Sequence, residues 1–136
     1  MKKKILIIGQ KGFISSNLIE YFKKQKLNFS SLSFKDFIAK SHLHNKKIDY
    51  IINCSSNNSY IKNKYQSQND YDLLIAKKIK DSKTKLVMLS SRKIYKPKFN
   101  IKESHKKETD CNYSRNKLRS EISIKKILRN RFLILR

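Results

Sequence analysis

The sequence predicts an α/β fold with a doubly wound parallel sheet, and three features carry that prediction. Short apolar runs alternate with helical periodicity along the whole chain. The runs are apolar at successive positions, as in strands covered on both faces. The first run, ILII at 5–8, passes straight into Gly9-Gln10-Lys11-Gly12 and then into a helical pattern. The chain has two glycines in all, and both fall in that turn.

Each element follows from its pattern. Residues Lys4–Ile8 form the first strand, and Ile14, Leu18, Ile19 and Phe22 recur at helical spacing to about Lys24. The stretch NFSSLS at 28–33 is a second strand, and Phe34–His44 a helix. Tyr50–Asn53 (YIIN) is a short buried strand. Asp70–Lys80 is a helix with Tyr71, Leu74, Ile75 and Ile79 on one face. Leu86–Leu89 is the next strand, Tyr113–Leu128 a long helix, and Phe132–Leu135 (FLIL) a closing strand. The segment from Ser30 to Asp49 is short, as though one strand–helix unit were compressed. The whole is one domain over 1–136, long enough to bury roughly two-thirds of its unfolded surface.

Composition sets outer bounds. Apolar residues are 38% of the chain, which suits a globular protein. No apolar run reaches the ~18 residues that span a bilayer. The start, MKKKILII, imitates a signal peptide, but its apolar run ends after four residues, so a cytoplasmic location is expected. Cys54 and Cys111 stand far apart, as reduced thiols, and the histidines (His42, His44, His105) have no ligand spacing, so no metal is expected. The formal charge of +23 would suit a polyanionic partner. However, the lysines are spread over every segment and accompany much Ile and Asn, as an AT-rich coding sequence would give. Charge therefore does not by itself point to nucleic acid.

The glycine turn carries chemistry. In a doubly wound sheet the turn after the first strand lies under a dinucleotide's pyrophosphate, and the next helix N-terminus points at it. One glycine permits the tight turn and a second lets backbone approach the phosphates without a Cβ between. Gly9 and Gly12 stand in that pattern, followed by Phe13 and Ile14, with Ser15 where a third glycine would bring helix and strand together.

A second pattern is Tyr-x-x-x-Lys, and it occurs twice. Tyr113 and Lys117 lie at the start of the long helix, where the spacing puts both on one face. Tyr60 and Lys64 lie in a polar stretch and are expected to be solvated surface. Five segments combine these features: ILIIGQKGFISSNLIEYF, DYIINCSS (49–56), LVMLSSRKIY (86–95), YSRNKLRSE (113–121) and FLILR. Together they resemble, nearly end to end, the extended short-chain dehydrogenase/reductases of the NAD-dependent epimerase/dehydratase family, which act on nucleotide sugars.

That resemblance implies a Rossmann-type domain binding NAD or NADP, with Ser91, Tyr113 and Lys117 catalytic. Tyrosine titrates near 10, and an adjacent Lys117 ammonium would favour the phenolate. Ser91 would orient the substrate hydroxyl or carbonyl, with Ser90 an adjacent competitor. Cofactor contacts are implied at Gly9, Lys11, Gly12, Phe13, Ile14, Lys35, Asp36, Cys54, Ser55, Asn69 and Lys117. Asn69 would support the following helix or a proton relay. A nucleotide sugar is the implied substrate, in a homo-oligomer or beside a complementing subunit.

The sequence also departs from the family. Ser33 stands where an acidic residue usually binds the adenosine ribose, and Lys35 could offset a 2′-phosphate, which leaves NAD and NADP both open. Lys96 follows Tyr95 where the family has glycine. The family's C-terminal, sugar-holding portion has no counterpart up to Arg136, so dinucleotide binding with little turnover is the expectation for these residues alone. Two other readings stand beside it: a cofactor-binding module without turnover, acting as sensor or partner subunit, and a basic nucleic-acid-binding protein, for which only net charge speaks.

Overall fold

The computed structural model describes residues 3–39 and 47–136. Five strands, β1 (Ile5–Ile8), β2 (Phe29–Leu32), β3 (Tyr50–Asn53), β4 (Lys85–Leu89) and β5 (Phe132–Leu135), form one sheet. All pairings are parallel, in the order β2-β1-β3-β4-β5. Parallel neighbours need crossovers, and helices supply them. These are α1 (Phe13–Lys24), α2 (Phe34–Ala39), α3 (Asn58–Lys62), α4 (Tyr71–Lys78) and α5 (Asn112–Leu128). The result is the Rossmann-like α/β fold that the alternating pattern predicted. The shortness of 30–49 has its counterpart in the sheet, where β2 is an edge strand and α2 follows it.

The core lies where α2, α4 and α5 meet the sheet. Leu6, Ile8, Ile51, Leu86 and Met88 from the strands pack with Phe37, Ile75, Ala76, Ile79, Ile124 and Leu128 from the helices. Each such side chain stabilises the fold by roughly 1.5–3 kcal/mol on full burial. The central strands are covered on both faces as expected, but β5 is not. As an edge strand it buries Phe132 and Ile134 partly and leaves Leu133 and Leu135 exposed.

Strands and long helices fall within a residue or two of their predicted bounds. The helix expected over 34–44 is described as Phe34–Ala39; its remainder, with His42 and His44, lies outside the described residues. α3 and the 3-10 turns Ser67–Asn69 and Arg92–Ile94 were not legible as periodicity, since each is about one turn long. One expectation is overturned. Tyr60 is not solvated surface but 3% exposed, with its hydroxyl against Ser120 Oγ at 2.6 Å. Asn57 caps α3 through Ser59 N–H, which turns Tyr60 inward against α5.

Candidate functional site

The β1–α1 turn explains both glycines. Gly9 has φ +98°, and a Cβ there would meet Ser55 Cβ and Ser55 N at 2.9 Å, closer than packed atoms allow. Gly12 is the N-cap of α1, with extended backbone and no side-chain cap. The first N–H groups of α1 thus have neither an intrahelical partner nor a capping side chain. Ser15, where a third glycine was expected, is fully buried and its Oγ bonds the carbonyls of Gly9 and Gly12, which pins the turn.

An open cleft of about 570 Å³ lies over this turn. Its walls include Gly9, Lys11, Gly12, Ser33, Asp36, Cys54 and Ser55. It stands beyond the C-terminal ends of β1, β2 and β3, where β1 has β2 on one side and β3 on the other. That is the topological switch point, where open α/β sheets bind ligands. The absent Cβ at Gly12 and the uncapped helix end fit a phosphate group. Asp36 joins the lining because Ser33 caps α2: the Asp36 N–H donates to Ser33 Oγ at 3.0 Å, and that hydroxyl donates to the Asp36 carboxylate at 2.6 Å. Lys35, Phe13 and Ile14 are exposed and outside the lining. Burial, then the Asp72 charge, pushes the Cys54 thiol up, away from thiolate chemistry.

Across Ser55 and Ser56 the cleft adjoins a second, tight recess holding Asn57, Tyr60, Asn69, Asp72 and Lys117. Lys117 is 6% exposed. Its ammonium donates to the Leu89 carbonyl at 2.8 Å and to Asp72 Oδ2 at 3.4 Å, and lies 5.4 Å from the Tyr60 ring centre. The other oxygen of Asp72 accepts from Asn53 Nδ2 at 2.7 Å, and Asn53 Oδ1 accepts from the Ser55 backbone and hydroxyl. Burial pushes the Asp72 carboxyl up, while Lys117 and the Asn53 amide pull against it. Burial and the Asp70 charge push Tyr60 far above the usual tyrosine range, which removes it as a base.

Tyr113, second residue of α5, is half-buried, and its helix carries Lys117 one turn further on. Ser91 caps the Arg92–Ile94 turn through Lys93 N–H, and that turn packs against α5. The two adjacent serines are now distinguishable. Ser90 donates to Glu121 at 2.6 Å, whereas Ser91 Oγ accepts only the Lys93 N–H among the described residues. Asn69 bonds Asn57 and Gln66 just before α4 and borders the Lys117 recess. Tyr113, Lys117 and the Ser91 turn are therefore on neighbouring elements, while Gly9, Gly12, Asp36, Cys54 and Ser55 share the adjoining cleft.

Sequence reasoning missed Asp72, Asn53 and Tyr60. The available signal was Asp72 itself, at helical spacing from Ile75, Ala76 and Ile79, an acid on the core face of α4. Beyond the recess, Glu121 is fully buried and held by both arms of Arg136 at 3.0 and 2.8 Å. Among the described residues no helix is long and apolar enough to cross a membrane.

No family model matches the chain, and no curated protein matches it by sequence. Solved structures do resemble it in fold. A dTDP-4-dehydrorhamnose reductase from Clostridium acetobutylicum aligns with TM-score 0.79 at 19% identity, over 96% of this chain and 51% of that one. The enzyme of the same name from Bacillus anthracis, in complex with NADP, gives 0.76 at 17%, over 98% and 52%. A UDP-glucuronic acid 4-epimerase from Bacillus cereus, in complex with NAD, gives 0.69 at 17%, over 98% and 56%. The chain thus spans about half the length of these structures.

Proposed function

We propose that this chain is the NAD(P)-binding portion of a nucleotide-sugar reductase, epimerase or dehydratase. The observation that carries it is the β1–α1 turn: two glycines, one at positive φ against Ser55 and one uncapped at a helix N-terminus, under a cleft at the switch point of a parallel sheet. The solved structures that share the fold include enzymes described with NADP and with NAD, which supports the same class of ligand.

In this reading Gly9, Gly12 and the α1 N-terminus hold the pyrophosphate, Asp36 and Ser33 face the adenosine end, and Lys117 faces the nicotinamide end. A bound nicotinamide dinucleotide supplies hydride acceptance or donation. The chain's own residues do the rest. Tyr113 Oη moves the substrate proton, Lys117 stands one turn further along the same helix, and the Ser91 hydroxyl orients the substrate oxygen. A cofactor-binding module without turnover is the second reading. It is favoured by one observation: the Lys117 ammonium already has a carboxylate partner in Asp72, which offsets the charge available to Tyr113.

The test is Gly12→Val. Its Cβ would lie 3.3 Å from Ser15 Oγ, which must give by a few tenths of an ångström while keeping its bonds to the Gly9 and Gly12 carbonyls, and its methyls fill the phosphate position. Calorimetric titration with NADH and NADPH should show binding by the wild type and none by the variant, with near-wild-type thermal unfolding. Equal affinity in both proteins would remove the turn from the site.

A further inference from the structure

Asp72 is a buried acid for which the proposed chemistry has no use, and its surroundings indicate what it does. It is 4% exposed, on the core face of α4, between two partners on different elements. One oxygen takes the Asn53 amide from the end of β3 and the other faces the Lys117 ammonium of α5. Asn53 in turn accepts from Ser55, which lines both the cleft and the recess. A continuous chain of polar contacts therefore runs from the cleft wall, through Asn53 and Asp72, to Lys117.

An unpaired ammonium at this depth would be costly, and a lysine on a four-carbon stem has many rotamers to choose from. Leu89 O supplies one neutral acceptor and the Tyr60 ring a weak one. Asp72 is the only anion on Lys117 among the described residues. We propose that Asp72 is a positioning residue: it fixes the Lys117 ammonium at the dinucleotide site through the buried Asn53–Asp72–Lys117 chain. The proposal rests on the dinucleotide-binding reading for its consequence, but not for the ion pair itself.

The pair is also set to respond to acid. Burial and Asp70 on the same helix raise the Asp72 carboxyl, while Lys117 of α5 and Asn53 of β3 lower it. Tyr60 of α3 and Cys54 at the end of β3 also face it, both as neutral groups. Protonating Asp72 leaves Lys117 with neutral acceptors only.

The experiment uses Asp72→Asn, Asp72→Glu and the wild-type chain, with NADH as the probe. First, the buried Lys117 ammonium is followed by lysine side-chain nitrogen NMR without ligand, assigned by its loss in Lys117→Met. It should be visible in the wild type, lost or strongly moved in Asp72→Asn, and regained in Asp72→Glu. Second, NADH affinity is measured from neutral pH down into the acid range. The wild type should weaken as pH falls through the raised Asp72 range, and Asp72→Asn should bind about tenfold more weakly at neutral pH, as replacing a charge-assisted contact by a neutral one implies, without that acid limb. An unchanged ammonium signal in Asp72→Asn overturns the proposal. So does wild-type affinity with an unchanged pH profile in that variant, or loss of binding that Asp72→Glu fails to restore. Expected NMR behaviour in a chain that binds no NADH would instead sink the dinucleotide reading and leave the ion pair standing.

Discussion

Tyr60–Lys64 and Tyr113–Lys117 share one spacing, yet the first pair buries its tyrosine and leaves its lysine in solvent, while the second buries its lysine and leaves its tyrosine half-buried. The difference is helix length. α3 ends at Lys62, and extended backbone at Asn63 (ψ 171°) carries Lys64 away from the Tyr60 face. α5 runs for 17 residues, so an i, i+4 pair stays on one face throughout. The two pairs also meet in space, since the Tyr60 ring lies under the Lys117 ammonium. A motif's spacing thus acquires meaning only with the element that holds it. The first pair's tyrosine contributes a wall of the recess that holds the second pair's lysine.

The largest expected effect breaks the comparison at its tyrosines. Tyr113→Phe should lower nucleotide-sugar turnover by ~10²–10⁴-fold, the range for a lost general acid or base, with NADH affinity unchanged. Tyr60→Phe should leave turnover unchanged, because its hydroxyl is buried against Ser120 and pushed out of the titrating range. The assay is reduced-nicotinamide absorbance with a panel of UDP- and dTDP-sugars. Equal losses in both variants would erase the distinction. These residues alone are expected to show little turnover, so the variants are compared on whatever turnover the wild type retains, and robust turnover would overturn that expectation.

At the lysines the readout is stability. Lys117→Met strands Asp72 as a buried carboxyl with only Asn53 for support, and breaking a buried pair costs about 3–5 kcal/mol. The lower part of that range is expected, because the raised Asp72 can take up a proton instead. Lys64→Met changes an exposed side chain and should stay within about 0.5 kcal/mol. Urea unfolding of both variants checks this. A neutral Lys117→Met would mean the ion pair contributes nothing net.

These contrasts also mark what the sequence could disclose. The strands and helices follow from alternation, and the β1–α1 turn follows from glycine, the one residue type whose placement speaks directly of backbone geometry. The polar network was not legible. Asp70 and Asp72 look like the acidic first turn of any exposed helix, and their partners Ser120 and Lys117 come from α5, which is distant in sequence. Tyr60 was misjudged for a related reason: Asn57 and Ser59 form a cap that polar composition alone conceals. Lys35 and Asp36 were indistinguishable as neighbours until Ser33 drew one of them into the cleft lining.

The smallest effect sharpens the comparison between two buried carboxyls of opposite acid response, Glu121 on α5 and Asp72 on α4. Burial alone would push Glu121 up, as it does Asp72. Hydrogen bonds from Arg136 and Ser90, with the charges of Arg136 and Lys107, outweigh it and hold the carboxyl below its ordinary range. A carboxyl lowered in the fold binds fewer protons there than in the unfolded chain, so its stabilisation is present above the ordinary carboxylate pKa. It is lost as pH falls from there through the lower folded value. Asp72, raised in the fold, has the opposite sign: its ionisation costs stability as pH rises from the ordinary carboxylate value towards the raised one. Glu121→Gln should therefore cost about 1–2 kcal/mol at neutral pH, less than a fully broken pair because Arg136 keeps Glu103 and is partly open to solvent. The cost should shrink as pH falls through the window below the ordinary glutamate value, since the wild-type carboxylate is then lost as well. Asp72→Asn should show no such shrinkage. Thermal unfolding of both variants from neutral pH into that window separates them. Parallel pH curves for Glu121→Gln and wild type would mean that the Arg136 pairing does not lower Glu121, and that α5 is held to β5 by packing alone.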